Sequence, residues 1–276
     1  MLRKILTAVL VSALIFGTVT ACDKNTSKNS TDNSKKNEDI TLAVKTVNFP
    51  VNGGEGNVGN HTIGEGEEYL AIKVTGYANE IIIKLYPEYE KAAVNQISSL
   101  AKEGFYKGNK VHRIIRGFML QAGSKNGDGM SSNTEPSFEI TTNEKMRHIY
   151  GAVCMANNGL SNGSQFYIVN NTDKNALTDF VGEQLGTYKS YGDKYANVVR
   201  FAENATADIT KTYDTLGGVP FLDGGYTVFG QTIAGWETID AVSAVAVKGN
   251  SSGEASTPVE PVIIENIEVR TGPYNA

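Results

Sequence analysis

This chain of 276 residues is most informative at first for what it has little of. Its two cysteines, Cys22 and Cys154, allow one disulfide at most. Its three histidines, His61, His112 and His148, are scattered, and no two stand at the spacing of metal ligands. A metal site is therefore not expected. Positive charge is short as well: 25 Lys and Arg stand against 30 Asp and Glu, for a net charge of −5. No basic stripe appears anywhere, and nucleic acid is excluded as an expected partner, since phosphate binding needs clustered Lys and Arg. No apolar run reaches the ~20 residues that span a bilayer comfortably. No internal repeat is visible. What the chain does have is 40% apolar residues, enough to bury a sizeable core in one large or two small domains.

The first forty residues read as an address and a tether. Arg3 and Lys4 precede an uncharged apolar run from Ile5 to about Val19, about the length of a signal-peptide h-region. The run ends in Val19-Thr20-Ala21-Cys22, which resembles the lipobox of bacterial lipoproteins. That resemblance implies cleavage after residue 21 and a diacylglyceryl group on the Cys22 thiol; an uncleaved membrane anchor is the alternative. Either places the rest of the chain outside the cytoplasm. Residues 22–40 are almost wholly polar and bury too little to fold, so a flexible tether is expected. Residues 41–68 read as an N-terminal extension with a weak strand signal at Leu42 to Phe49 and a Gly/Asn-rich loop from Asn52 to Gly66. With Cys22 acylated, Cys154 has no partner, and its apolar run suits a small buried hydrophobe.

Beyond residue 68 the pattern turns to short strands. Tyr69 to Val74 and Glu80 to Leu85 read as a hairpin. A helix follows, with Pro87 in its first turn, Glu88 and Glu90 near its start, Val94, Ile97, Leu100 and Ala101 on one face, and Gly104 at its end. Further strands are expected at 111–115, 118–122, 151–155, 165–169, 227–232 and 262–270, with a second helix at 236–245. Many short strands with two isolated helices predict a mainly β, closed antiparallel barrel.

Familiar catalytic patterns find little support. Gly159-Leu160-Ser161-Asn162-Gly163 matches the G-x-S-x-G of hydrolases, but that motif needs a helix after it and a His further down the chain. The following run, Gln165 to Val169, reads as a strand, and no His lies beyond 148. Two other segments are more specific. His112-Arg113-Ile114-Ile115-Arg116-Gly117-Phe118-Met119-Leu120-Gln121-Ala122-Gly123 gathers an Arg, a Phe, a Met and a Gln within nine positions. Met155-Ala156-Asn157-Asn158-Gly159 followed by Gly163-Ser164-Gln165-Phe166-Tyr167 is the second.

Both segments resemble the signature strands of the cyclophilins. Phe221-Leu222-Asp223-Gly224-Gly225-Tyr226-Thr227-Val228-Phe229-Gly230 is similar to a third family segment, and Glu80 to Pro87 and Ser99 to Tyr106 to two more. The likeness runs in the same order from about Tyr69 to Arg270. It implies an eight-stranded barrel capped by two helices over residues 69–272, without a cofactor, that rotates X-Pro peptide bonds in proline-containing polypeptides. It also implies roles. Arg113 matches the catalytic Arg, and Gln121 the residue that orients it. Phe118, Met119, Tyr167 and Leu222 match the proline socket, with Phe221 and Tyr226 at its edge. Ala156 and Asn157 match main-chain contacts to the peptide, Gln165 lines the neighbouring subsite, and His112 supports the site. A monomer, held to the membrane only by its lipid, is expected.

The chain also departs from the family. Tyr167 stands where Phe is usual, and its hydroxyl needs a partner. Phe221 replaces a common Trp, which implies weak cyclosporin binding, and Tyr226 replaces a common His. The glycine-rich loop after Gly123 is short. An insertion at about 173–219, rich in Tyr and Ala, separates the Gln165–Tyr167 strand from the Leu222 loop and is expected to be helical and to sit beside the socket as a lid, a wall or decoration. A non-catalytic proline-peptide binding module or holdase is the rival to the enzyme.

Overall fold

The computed structural model describes residue 52, residues 62–130 and residues 137–275. The expectations for residues 1–21, for Cys22 and the tether, and for the strand at Leu42 to Phe49 lie outside the described residues.

Strands β1 (Glu68–Val74) and β2 (Ile81–Leu85) form the expected hairpin. Alternation along them sorts the side chains: Leu70, Ile72, Val74, Ile81 and Ile83 enter the main core, while Tyr69, Ala71 and Ile82 pack on the opposite face with Ile63 and Ile233. Helix α1 (Lys91–Lys102) lays Ala93, Val94, Ile97, Leu100 and Ala101 into that core, and Gly104 follows it at φ 75°. The helix starts later than its sequence suggests. Tyr89 and Glu90 both donate backbone hydrogen bonds to the carbonyl of Tyr86, so Pro87 belongs to a turn ahead of the helix and Glu90 is its N-cap.

The remaining strands are β3 (Asn109–Lys110), β4 (Arg113–Ile115), β5 (Met119–Ala122), β6 (Ala152–Asn157), β7 (Asn162–Val169), β8 (Val228–Ala234), β9 (Val247–Gly249), β10 (Ala255–Pro258) and β11 (Ile263–Thr271). Nine of the eleven strands among the described residues make one antiparallel sheet in the order β3-β11-β1-β2-β8-β6-β7-β5-β4, rather than eight. Its two outer strands are consecutive pieces of one stretch, 109–115. Val111 donates its backbone N–H to Val262 on one side, and His112 donates to Gln121 on the other. The sheet is therefore strongly curled, with a partner change between residues 111 and 112. Strands β9 and β10 form a separate hairpin that the sequence reading missed.

Between β7 and β8 the chain is mostly helical: α2 (Ala176–Asp179), a π-turn (Phe180–Gln184), α3 (Leu185–Ser190), a 3₁₀ turn (Gly192–Tyr195), α4 (Ala196–Glu203) and α5 (Ala207–Leu216). Phe180, Tyr188, Phe201, Ile209 and Tyr213 are buried there. Helix α6 (Trp236–Ser243) adds Ile239 and Val242 to the main core. No helix among the described residues is long and apolar enough to cross a membrane.

Candidate active site

Register places the signature residues in one row. Ile114, Leu120, Ile168 and Val153 lie opposite one another across β4, β5, β7 and β6, and all four point into the core. Their sequence neighbours must then face the other way, because side chains alternate along a strand. Arg113, Gln121, Tyr167 and Cys154 form that second row, also in direct register. Met119, two residues before Gln121, stands on the same face.

Arg113 is 9% exposed. Its Nη1 lies 3.4 Å from Gln121 Oε1 and 3.9 Å from Met119 Sδ, and its carbon is 5.9 Å from the centre of the Phe118 ring. On the other edge, Nε and Nη2 donate to the two carboxylate oxygens of Glu254 at 2.7 and 2.8 Å. Gln121 donates to Gln165 at 3.1 Å, and Gln165 to the carbonyl of Gly129 at 3.3 Å. The amide side chains thus link the Arg to the glycine-containing turn after β5. His112 is packed beneath Gly129; burial, helped by the Arg113 charge, pushes its ring down to about 4, so it is neutral at pH 7.

Phe118, Met119, Tyr167 and Leu222 are all buried. The half-buried ring of Phe221 stacks on Phe118 at 5.8 Å, and Tyr226 meets Tyr167 edge-on at 6.0 Å. Burial pushes the Tyr226 hydroxyl up to about 12, while the positive charge of Arg113 pulls the other way. Ala156 and Asn157 lie half-buried at the end of β6, with the Asn157 amide donating to the carbonyl of Gly225. These contacts and the strand register bring together Arg113, Gln121, Gln165, His112, Phe118, Met119, Phe221, Tyr167 and Tyr226; Leu222 and Ala156 adjoin Phe221 and Asn157 along the chain, and Cys22 lies outside the described residues. Two surface clefts, of about 270 and 280 Å³, lie elsewhere and are lined by none of them.

Next to Tyr167 and Leu222 is a polar network that the sequence reading did not assign. Asp223 is buried and accepts hydrogen bonds from Arg147 at 3.1 Å, from the backbone of His148 at 3.0 Å and from Tyr213 at 2.8 Å. Its Oδ1 also lies 2.8 Å from His148 Nδ1, and His148 Nε2 is 3.0 Å from the Tyr167 hydroxyl. Burial alone would raise the Asp223 carboxyl, but Arg147 and His148 outweigh it and hold the group below the usual carboxylate range. Arg147 also donates to the carbonyl of Phe201 in α4. The helical stretch is therefore tied through Arg147 to Asp223 and the segment beside Leu222. Asp223 lies inside a segment that resembles the family, but its partners are brought to it only by folding. Glu254 sits in a short polar hairpin and gave no signal.

Residues 69–269, well over half of the chain, match the family model described as cyclophilin type peptidyl-prolyl cis-trans isomerase/CLD. A protein of Staphylococcus saprophyticus described as "putative peptidyl-prolyl cis-trans isomerase" is 32% identical over 72% of this chain and 91% of its own length. A Streptococcus pyogenes protein described as a "putative bifunctional phosphatase/peptidyl-prolyl cis-trans isomerase" is also 32% identical, over 84% of this chain; the chain spans only 43% of that longer protein. Among solved structures, a cyclophilin type isomerase of Cryptosporidium parvum, crystallised in the presence of the dipeptide Ala-Pro, superposes with a TM-score of 0.52. It is 19% identical and covers 74% of this chain and 99% of its own, a likeness of fold.

Proposed function

The chain belongs to the cyclophilin-type peptidyl-prolyl cis-trans isomerases, and from that membership we propose that it isomerises X-Pro bonds of secreted or surface polypeptides with Arg113 as the catalytic residue. The barrier it lowers is ~18–20 kcal/mol, set by the partial double bond of the amide. No covalent bond to the substrate is made or broken, so the enzyme has only to bind the twisted amide better than the planar one. As the C–N bond turns, the prolyl nitrogen becomes pyramidal and recovers its lone pair. A guanidinium aimed at that nitrogen stabilises the twisted form selectively.

The observation that carries this reading is the row of Arg113 and Gln121 beside Met119 and Phe118, a cation fixed at the edge of an apolar cluster. The proline ring enters past the half-buried rings of Phe221 and Tyr226 and rests on Phe118, Met119, Tyr167 and Leu222. Ala156 and Asn157 hold the peptide main chain, Gln165 lines the neighbouring subsite, and Gln121 orients the Arg. His112, neutral and packed against the turn, supports β4 from below. The sheet closes into a barrel through the stretch 109–115, and the helical stretch after β7 is an insertion that forms a fixed wall. Cys22 carries the lipid that holds the domain at the outer face of the cell membrane.

A protease-coupled assay on a short Pro-peptide tests the reading. Arg113→Ala is expected to lower kcat/KM by about 10²-fold while peptide binding survives. A wild-type chain that binds the peptide without turning it over would instead be the holdase, and full activity in Arg113→Ala would remove the mechanism.

A further inference from the structure

The pair between Arg113 and Glu254 is unlike a surface ion pair. Both side chains are nearly covered, 10% and 12% exposed, and the contact is bidentate. Exposed pairs contribute little, and a buried pair costs desolvation that only good geometry offsets. Glu254 is itself braced. Its backbone N–H donates to Asn250 Oδ1 at 3.0 Å, Asn250 N–H donates back to the Glu254 carbonyl at 2.8 Å, and Asn250 Nδ2 reaches Ser256 Oγ at 3.4 Å. The β9–β10 hairpin is thus a rigid mount for one carboxylate.

We propose that Glu254 is a positioning residue for the isomerisation, a carboxylate fork that takes the Nε–Nη2 edge of Arg113 and leaves Nη1 turned toward Met119 and Gln121. The proposal rests on the reading of Arg113 as the catalytic residue. A guanidinium is planar, so fixing one edge by two hydrogen bonds fixes the direction of every remaining N–H. The long Arg side chain would otherwise sample several rotamers, and the ordering needed in the twisted state would fall within the chemical step. With the fork in place that ordering is already present before substrate arrives. The Glu254 carboxylate bonds Arg113 on the site side and Ser256 on its own hairpin, and it acts on the site through Arg113.

The test is a double-mutant cycle on the full chain, read by coupled-assay kinetics and by peptide affinity. Glu254→Ala is expected to lower kcat by about tenfold with peptide affinity within about twofold of wild type. Glu254→Gln, which keeps the shape and one acceptor, is expected to recover part of that loss and guards against misfolding of the Ala variant. In an Arg113→Ala background, Glu254→Ala is expected to change nothing further. The Arg113 Nε–H NMR resonance, shifted by the carboxylate in wild type, is expected to move to its ordinary position in Glu254→Ala. Wild-type kcat in both Glu254 variants, a loss confined to KM, or an equal loss in the Arg113→Ala background overturns the proposal. If Arg113→Ala is inactive while Glu254→Ala is fully active, only the fork is wrong; if Arg113→Ala is fully active, the catalytic reading fails and takes the fork with it.

Discussion

Tyr167 brings a hydroxyl into a place where a phenyl ring would pack as well, and it is 1% exposed. A buried hydroxyl needs a partner, and it has His148, which is in turn held by Asp223. Tyr167→Phe is expected to leave His148 Nε2 unpaired and to cost about 1–3 kcal/mol in urea denaturation, with isomerase activity close to wild type. Asp223→Ala goes further, since it strands the Arg147 guanidinium inside the molecule; about 3–5 kcal/mol is expected, seen as a large drop in Tm. His112 predicts a pH effect. Its folded pKa of about 4 lies below the ordinary 6.5, so the folded state resists taking up the proton. Stability is fully present above pH 6.5 and falls as pH drops toward 4, by about 3 kcal/mol in all. His112→Asn is expected to flatten that limb, measured by denaturant melts between pH 7 and 4. The Asp223 contribution acts lower, present above pH 3.8 and lost as pH falls through its depressed folded value. At this scale the sequence told much about Arg113, Phe118, Met119 and Gln121, which fall within nine positions. It told little about Asp223, whose partner Arg147 is 76 positions away, or about Glu254, 141 positions from Arg113.

Among the elements, the strands and two core helices were legible because alternation and a 3.6-residue period leave marks in composition. The start of α1 was not: Pro87 suits a first helical turn, yet the hydrogen bonds back to Tyr86 make a separate turn of that segment. The β9–β10 hairpin was missed because Asn250-Ser251-Ser252-Gly253 reads only as loop. The helical stretch 176–216 was expected in outline, but not its anchoring. Its return to the sheet runs through Gly218, at φ 136°, where an added Cβ would meet the His148 carbonyl and the Tyr213 ring. Gly218→Ala is expected to cost about 1–3 kcal/mol in backbone strain alone and to lower Tm further through the clash. Gly159→Ala, at φ 82° in open space, is the control and carries strain only.

The whole molecule uses the two faces of one curled sheet for different ends. The inner face, with Leu70, Ile83, Leu120, Ile168 and Phe229, is continuous hydrocarbon and holds the fold. The outer face near β4, β5 and β7 carries the polar row. This division keeps Tyr167 and Arg113 out of the hydrocarbon of the inner face, so stability and catalysis are expected to separate under mutation. Cys22→Ser is expected to move the protein from the membrane fraction to the soluble fraction on cell fractionation, with kcat/KM for a soluble peptide unchanged. The change of partner between Val111 and His112 has a consequence for the order in which function and fold are lost. The stretch 109–115 works like the slider of a zip, with Arg113 one residue past the change of partner. Were it to part, two ladders would be bared together and the guanidinium carried off first. Warming should therefore silence the enzyme before the inner face melts, and the Val111 and His112 amides should be early to exchange with deuterium.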